Sequence, residues 1–471
     1  MSNNNNLEKK KILLMYPPSP VMNREERCQQ PTKDLIVIPP LPPTDLMYLA
    51  AIAEKAGYMA KIADYSLGGN LVEDLNKFKP DYVVANVATP TFNSDLNSLK
   101  LVKDVLPEAI TIAKGAPFLT YNTNAIYECK FLDYVIVGES ELVLKDILNG
   151  VEDSEIKGIC YRDGYIAKFT GRSPFIKNLD KLPFPARHLV DNNLYRRPDN
   201  NKVQAVIKVS RGCPYHCFFC MATPVSGVEV RKRSPKNIVK EIKLCINRYG
   251  IKDFIFWSDI FNADNDWVRD LCNEIIKNEL DITWSANTRA DTADVQTVEL
   301  MYKAGCRLVS LGAESGSQFI LNKIGKRITL DDIKHTVRLF KKNHIKIYSY
   351  FVIGLPWDDE DTIEETIKFA INLNTDFCSF YTATPLPGTK FNEFVNEEHL
   401  AEEEYSFNNA YYVPTVRTIY LSKERVFELH KKAVKRYYLR LNYIVKMLLS
   451  IRSFSEFKNY FRAGFNLLLK R

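Results

Sequence analysis

Arg211-Gly212-Cys213-Pro214-Tyr215-His216-Cys217-Phe218-Phe219-Cys220 sets three cysteines at C-x3-C-x2-C spacing directly after the apolar run Val203 to Val209. A cluster of thiols in a loop that follows a strand points to a metal. Soft thiolates select iron–sulfur clusters or zinc. A structural zinc wants four ligands in a closed site, and His216 is the one local residue able to complete that set. A 4Fe-4S cluster accepts three cysteines and leaves its fourth iron open to another ligand. Three buried, chemically idle cysteines are the remaining alternative.

Downstream of the motif the pattern alternates. Apolar runs centred on Val206, Ile255, Trp284, Val309, Tyr350 and Ser379 are each followed by a helical stretch. That predicts six strand–helix units and a parallel sheet. The first helix has a clear start, with Ser234 as cap and Pro235 in its first turn. A closed barrel of this type has eight units, so an open (β/α)6 barrel is expected. Polar residues collect where these strands end, in Phe256–Phe261, Asn287–Asp291, Leu311–Gly316 and Val352–Pro356. In barrels that rim carries the chemistry.

The N-terminal third predicts a second α/β body, a doubly wound parallel sheet. Strands are expected at Lys11–Tyr16, Ala60–Ala63, Tyr82–Val87, Ile110–Ala113 and Tyr134–Val137, with helices between them. One of these helices is expected to start at Thr44–Asp45 and run to Gly57. Ligands of such sheets bind beyond the carboxyl ends of the strands. Those ends carry Pro17, Thr89, Thr91, Gly115, Gly138 and Glu139. No Gly-x-Gly-x-x-Gly follows the first strand, which argues against a dinucleotide site. Ile159–Ile166 reads as a hairpin turning at Asp163-Gly164, and a Pro-bearing linker follows to about Asn201. The expected division is 1–150 for the first sheet, 151–200 for hairpin and linker, 201–395 for the barrel and 396–471 for a basic helical C-terminal region.

Composition narrows the class. The 471 residues are enough for two or three domains. The scattered Cys28, Cys129, Cys160, Cys245, Cys272, Cys306 and Cys378 do not form a disulfide framework, which fits a reducing cytoplasm. No transmembrane run and no secretory signal is read. Residues 423–471 hold 13 Lys and Arg against 3 Glu, an excess of ten that outweighs the whole-chain charge of +7. The body is therefore near neutral, and no nucleic-acid partner is expected. The tail repeats Leu429, Ala433, Tyr437, Leu441 and Ile444 near helical spacing. It is expected to cap the barrel, with a peripheral membrane contact or an acidic partner as alternatives. His430 is expected to be a packing or surface residue.

The cysteine spacing, the strand before it and the pattern after it resemble the radical S-adenosylmethionine (SAM) superfamily. The resemblance implies a 4Fe-4S cluster on Cys213, Cys217 and Cys220, with SAM bound at its open iron. It implies Phe219 beside the adenine, Asp259 at the SAM amino group and Arg289 at the SAM carboxylate. It further implies Glu314 and Ser315 near the ribose or methionine end and the Gly354 backbone against adenine. The N-terminal third resembles the cobalamin-binding domain that precedes many such barrels, on Leu14-Met15-Tyr16-Pro17-Pro18, Gly115-Ala116-Pro117 and Val137-Gly138-Glu139-Ser140-Glu141. It implies cobalamin without a His ligand to cobalt, since no His precedes His188. The implied reaction is reductive cleavage of SAM to a 5′-deoxyadenosyl radical, followed by C-methylation. The substrate would be a small molecule or lipid, and the electron donor a flavodoxin or ferredoxin. Oxidative cyclisation, as in anaerobic magnesium-protoporphyrin monomethyl ester cyclases, stays open. So do a cobalamin-independent oxidoreductase and a metal-binding scaffold without activity.

Overall fold

The computed structural model describes residues 9–26, 28–31, 40–197, 201–401 and 412–451. They form two compact units. The first includes Pro43–Lys177 and Lys181–Asp191, and the second includes Asn178–Asp180 and the chain from Asn192 onward.

The first unit carries β1 (Lys11–Tyr16), β2 (Met22–Glu25), β3 (Cys28–Pro31), β4 (Met59–Asp64), β5 (Tyr82–Asn86), β6 (Ile110–Lys114), β7 (Tyr134–Ile136), β8 (Ile159–Asp163) and β9 (Ile166–Phe169). Seven strands make one sheet in the order β4-β1-β5-β6-β7-β8-β9. The first five run parallel, with Leu14 opposite both Ile62 and Val84. Ile12 and Leu14 face helices Thr44–Lys55 and Ser140–Leu148 through Leu46, Met47 and Leu144. Leu13 and Met15 face the other layer through Leu75, Leu99 and Ile126. Burial on both faces explains why β1 reads as an unbroken apolar run.

Three expectations change here. The hairpin expected in the linker is the antiparallel edge of this sheet, because Ile159 pairs with Ile136 and β9 pairs with β8. The boundary expected at residue 150 therefore moves to the neighbourhood of Lys177–Asp191. Thr44 does not cap its helix: Pro43 holds the cap position without a side-chain bond, and Thr44 is buried in the first turn. The Pro-rich segment also contains an unanticipated hairpin, β2–β3. That hairpin inserts Arg24, whose guanidinium pairs with Asp95 at 2.8 Å with neither side chain exposed, and donates to the Asn86 carbonyl.

The second unit contains β10 (Gln204–Lys208), β11 (Ser210–Arg211), β12 (Arg231–Lys232), β13 (Asp253–Trp257), β14 (Thr283–Thr288), β15 (Cys306–Glu314), β16 (Lys346–Ile353) and β17 (Phe377–Thr382). Six of these form a wholly parallel sheet in sequence order, β10-β13-β14-β15-β16-β17. Alternation decides the faces. Ile347, Phe351 and Ile353 pack on the helices, whereas Tyr348 and Tyr350 occupy the opposite, concave side. Ser234 caps Pro235–Tyr249 as its sequence predicts.

Helix Lys423–Tyr438 belongs to this same body and is not a separate tail domain. Val426, Leu429, Ala433 and Tyr437 join the barrel core. The Tyr437 hydroxyl donates to the Thr375 carbonyl at 2.7 Å. The Tyr438 hydroxyl meets both backbone groups of Cys378 on the outermost strand. Its basic face is largely answered locally, Arg425 by Glu360, and Lys432 and Arg436 by Glu364. His430 is buried against the Phe380 carbonyl, a packing role. Helix Leu441–Ser450 follows, but Leu441 and Ile444 do not continue the buried stripe, being 76% and 39% exposed. The rest of the helical reading, at 402–411 and 452–471, lies outside the described residues.

Arg24→Met should destabilise the first unit by about 3–5 kcal/mol, since Asp95 is left as an uncompensated buried charge. Denaturant unfolding measures this, and the double variant Arg24→Met/Asp95→Asn should recover part of the loss.

Candidate functional site

The cysteine loop is fixed at several points before any ligand is considered. Gly212 adopts φ +99°, and a Cβ there would stand 1.9 Å from the Glu229 carbonyl, so only glycine fits. Its N–H donates to the Asp259 carboxylate at 2.7 Å. β11 and β12 pair across the mouth of the loop, and Cys213 N–H donates to the Gly227 carbonyl at 3.0 Å. Farther in, Phe218 N–H donates to the Ile324 carbonyl, and the Phe218 ring packs among Trp357, Phe391 and Phe394.

Cys213, Cys217 and Cys220 are each half-buried. The amide of Ala222 points at the Cys220 sulfur, 3.4 Å away. Such a donor favours a thiolate or a metal-bound sulfur. The scattered cysteines differ: burial pushes the Cys160 and Cys272 thiols up to about 12, and raises Cys306 and Cys378 as well. Those thiols stay protonated and inert. His216 is exposed. Among the described residues no three His, Cys, Asp or Glu side chains converge on a single metal-ion position.

Around this loop the strand ends supply charge. Arg289 is buried with its guanidinium 3.6 Å from the centre of the Tyr215 ring. It pairs with Asp291 at 2.6 Å and also donates to the Lys326 carbonyl. Part of the expected carboxylate fork is thus engaged inside the protein, Nη2 with the 326–327 turn and Nε beside Asp291. Glu314 closes β15 at φ +64° and pairs with Lys326 at 2.7 Å, both largely buried. Gly312 makes room for the pair, since a Cβ there would sit 2.4 Å from the Glu314 carboxylate and 3.1 Å from the Lys326 ammonium. Burial works against the Lys326 charge, but Glu314 and the neighbouring Cys217 hold its pKa above the ordinary lysine value.

Other nominated residues have structural tasks. The Ser315 hydroxyl meets Thr366 at 3.0 Å and receives the Ser317 amide, which removes it from the open rim. Gly354 takes φ +86° and lies where a Cβ would meet Val426 at 2.7 Å. The buried Asp358 carboxylate receives the Gly354 and Leu355 amides at 3.0 and 2.9 Å and so shapes that turn. Burial pushes its pKa up to about 7, against those amides and the Thr362 hydroxyl. Phe219 is partly buried against the barrel core. Tyr215, Lys326 and Asp358 were not singled out from the sequence. Gly325-Lys326, just past the end of helix Gln318–Lys323, and Asp358-Asp359, at the start of helix Glu360–Leu373, were the signals available. On the concave face, Tyr350 meets Ser310 at 3.2 Å and Tyr348 meets Ser379 at 2.6 Å, with the two tyrosine rings 4.6 Å apart.

In the first unit, the carboxyl ends of β1, β5 and β6 hold a polar cluster. Asp45 receives Tyr16, Asn86 and the buried Lys114, and Lys114 also pairs with Glu26. Thr91 bonds Asp95, and the Thr89 amide donates to Gln29. Gly115 abuts the Val87 carbonyl, Gly138 abuts Ser173, and Glu139 receives the Ile176 amide. Pro17 directly follows β1. Two buried amide atoms here, Gln29 Nε2 and Asn86 Oδ1, have no hydrogen-bond partner.

Comparison with known proteins agrees with this geometry. Residues 207–370 match the Radical SAM superfamily. A Pyrococcus horikoshii protein described as an uncharacterized methyltransferase is 30% identical over 443 residues, covering 88% of this chain and 94% of its own length. The anaerobic magnesium-protoporphyrin IX monomethyl ester cyclase of Rubrivivax gelatinosus is 28% identical over 384 residues, 78% of this chain and 69% of its own. Among solved structures, the cobalamin-dependent SAM radical enzyme OxsB superposes with TM-score 0.76 at 15% identity, covering 98% of this chain and 71% of that one. The radical SAM methyltransferase TsrM from Kitasatospora setae gives 0.66 at 18%, covering 83% and 75%.

Asp358 is protonated in the folded protein up to about pH 7 but ionised in the unfolded chain above the ordinary carboxyl range. The unfolded state then binds fewer protons, so stability falls as pH rises through that window. Asp358→Asn should remove this component: its urea midpoint, compared with that of the parent chain, should gain ground between pH 5 and pH 7.5, which are about the ends of the window.

Proposed function

The chain belongs to the radical SAM superfamily, and on that premise we propose that it methylates an unactivated carbon of a small-molecule substrate, using SAM, a 4Fe-4S cluster and cobalamin. The observation that carries the reading is the rigid loop presenting three half-buried thiols at the carboxyl rim of a six-stranded parallel sheet. When bound, the cluster would supply the electron that splits SAM into methionine and a 5′-deoxyadenosyl radical, and cobalamin the methyl group.

The protein's own part is binding and placement. Cys213, Cys217 and Cys220 would ligate the cluster. The Ala222 amide beside Cys220 and the Lys326 cation near Cys217 suit negatively charged sulfur. Glu314 and Lys326 offer an anion and a cation side by side, complementary to the ammonium and carboxylate of a zwitterionic amino acid. Lys326 would take the carboxylate together with Arg289, part of whose fork is engaged within the protein. Asp259 gives one oxygen to Gly212 and so couples the cysteine loop to β13, and it would also meet the SAM amino group. The Gly354–Leu355 turn, held by Asp358, would line the adenine together with Phe219. Ser315 would act through the packing of that rim, not by touching SAM.

Cobalamin would lie at the carboxyl ends of β1, β5, β6 and β7, near Pro17, Thr89, Thr91, Gly115, Gly138 and Glu139. The unsatisfied amide atoms of Gln29 and Asn86 suit a ligand whose rim is rich in carboxamides. The paired tyrosine and serine hydroxyls of the concave face would receive a ring-bearing, hydrogen-bonding substrate. Oxidative ring closure is the second reading, favoured by the similarity to the Rubrivivax cyclase. A flavodoxin or ferredoxin would supply electrons.

Anaerobically reconstituted protein should carry iron and sulfide, and under strong reductant release 5′-deoxyadenosine from SAM. Cys213→Ala, Cys217→Ala and Cys220→Ala should each lose both properties, and Lys326→Met should weaken SAM binding with the iron content unchanged. SAM left intact by the iron-replete parent protein would sink the reading. Hydroxocobalamin lost on desalting would remove the methyl donor and leave a cobalamin-independent oxidoreductase.

A further inference from the structure

Helix Leu441–Ser450 has two faces of opposite fate. One buries Tyr443, which is 6% exposed, and sets Met447 against the small cluster of Leu308, Tyr348 and Phe377. The other exposes Leu441 at 76%, Val445 at 46%, Leu448 at 57% and Leu449 at 82%, with Ile444 beside them. These positions recur at i, i+4, i+7 and i+8, a continuous aliphatic stripe. Helix Lys423–Tyr438 lacks such a stripe; its outward positions carry charges paired to Glu360 and Glu364.

Cations outnumber carboxylates at the border of the stripe, with Arg440, Lys446 and Lys341 against Asp376. Arg440 precedes it, holding the carbonyls of Tyr437 and Ile371. Lys446 sits within the helix, salt-bridged to Asp376 yet with its side chain 45% exposed. Lys341 lies close by: burial lowers its pKa first, Lys446 lowers it further, Asp376 works against both, and Arg440 adds to the lowering. The helix itself contains no Asp or Glu, and residues 452–471 add five Lys or Arg against one Glu.

We propose that this face docks the protein onto an anionic lipid bilayer, the aliphatic stripe entering the headgroup boundary and the bordering cations meeting lipid phosphates. Apolar stripe plus basic rim is the combination that interfacial helices use. A second copy of the chain fits less well, because a two-fold contact would bring Arg440, Lys446 and Lys341 against their own counterparts. Cover by residues 452–471 would likewise concentrate five more cations on the same rim.

The test uses the full chain and sedimentation with phosphatidylcholine vesicles, with and without phosphatidylglycerol. The protein should sediment with the phosphatidylglycerol vesicles, stay in solution with phosphatidylcholine alone, and be released by salt. Leu448→Glu/Leu449→Glu should reduce the bound fraction by about ten-fold or more, with an unchanged melting temperature because both side chains are solvent-exposed. No sedimentation of the parent chain would overturn the proposal. So would undiminished sedimentation of the double variant, which would place binding in residues 452–471. A dimer in light scattering that the same variant dissolves would overturn it in favour of a second copy.

Discussion

The guanidinium of Arg289 is the contact on which the rim depends. It lies over the Tyr215 ring, its Nε pairs with Asp291, and its Nη2 reaches the 326–327 turn. Three segments distant in sequence are thereby held by one side chain: the cysteine loop, the end of β14 and the turn that supplies Lys326. A lysine could not do this, since a point charge has neither the face for stacking nor the fork for several acceptors. The Glu314–Lys326 pair gains its position from the same turn. Its burial is supported by Gly312, whose missing side chain is the space the pair occupies.

The two polar centres differ in kind. In the second unit a charged pair stands next to a half-exposed thiol loop, and the strain of a left-handed Glu314 is retained there, as strain commonly is at working sites. In the first unit, charges at the sheet's carboxyl edge are mostly satisfied by one another, through Arg24–Asp95 and Lys114 with Asp45 and Glu26. That network stiffens the strand ends and leaves Arg24 Nε, Gln29 Nε2 and Asn86 Oδ1 buried without a hydrogen-bond partner.

Strand positions were legible because helices cover both faces of the first sheet, which makes β1 and β5 apolar runs, and because β14 and β16 of the second alternate. The cysteine motif was legible for its spacing. What escaped was long-range or required knowing which side chains are already engaged. Arg289 reads as an available fork, and only the fold reveals Tyr215 beneath it. Lys326 stands twelve residues after Glu314 with no motif to join them. β2–β3 hid in a segment whose prolines suggest a loop, although its pairing buries Arg24. The 159–169 hairpin was visible as a hairpin, but not its partner strand. Leu441 and Ile444 kept the helical period of the buried stripe while the helix had already turned its other face inward.

Among the described residues β17 has no strand beyond it, and the hydroxyls of Tyr437 and Tyr438 meet backbone there instead, at Thr375 just before the strand and at Cys378 within it. Those tyrosines are encoded about sixty residues later. During synthesis β17 thus emerges from the ribosome with a bare edge and stays so until helix Lys423–Tyr438 follows. An uncovered edge invites pairing with another nascent chain. The barrel edge is completed only by helix Lys423–Tyr438, and it stays open to misassembly in the interval before that helix is made.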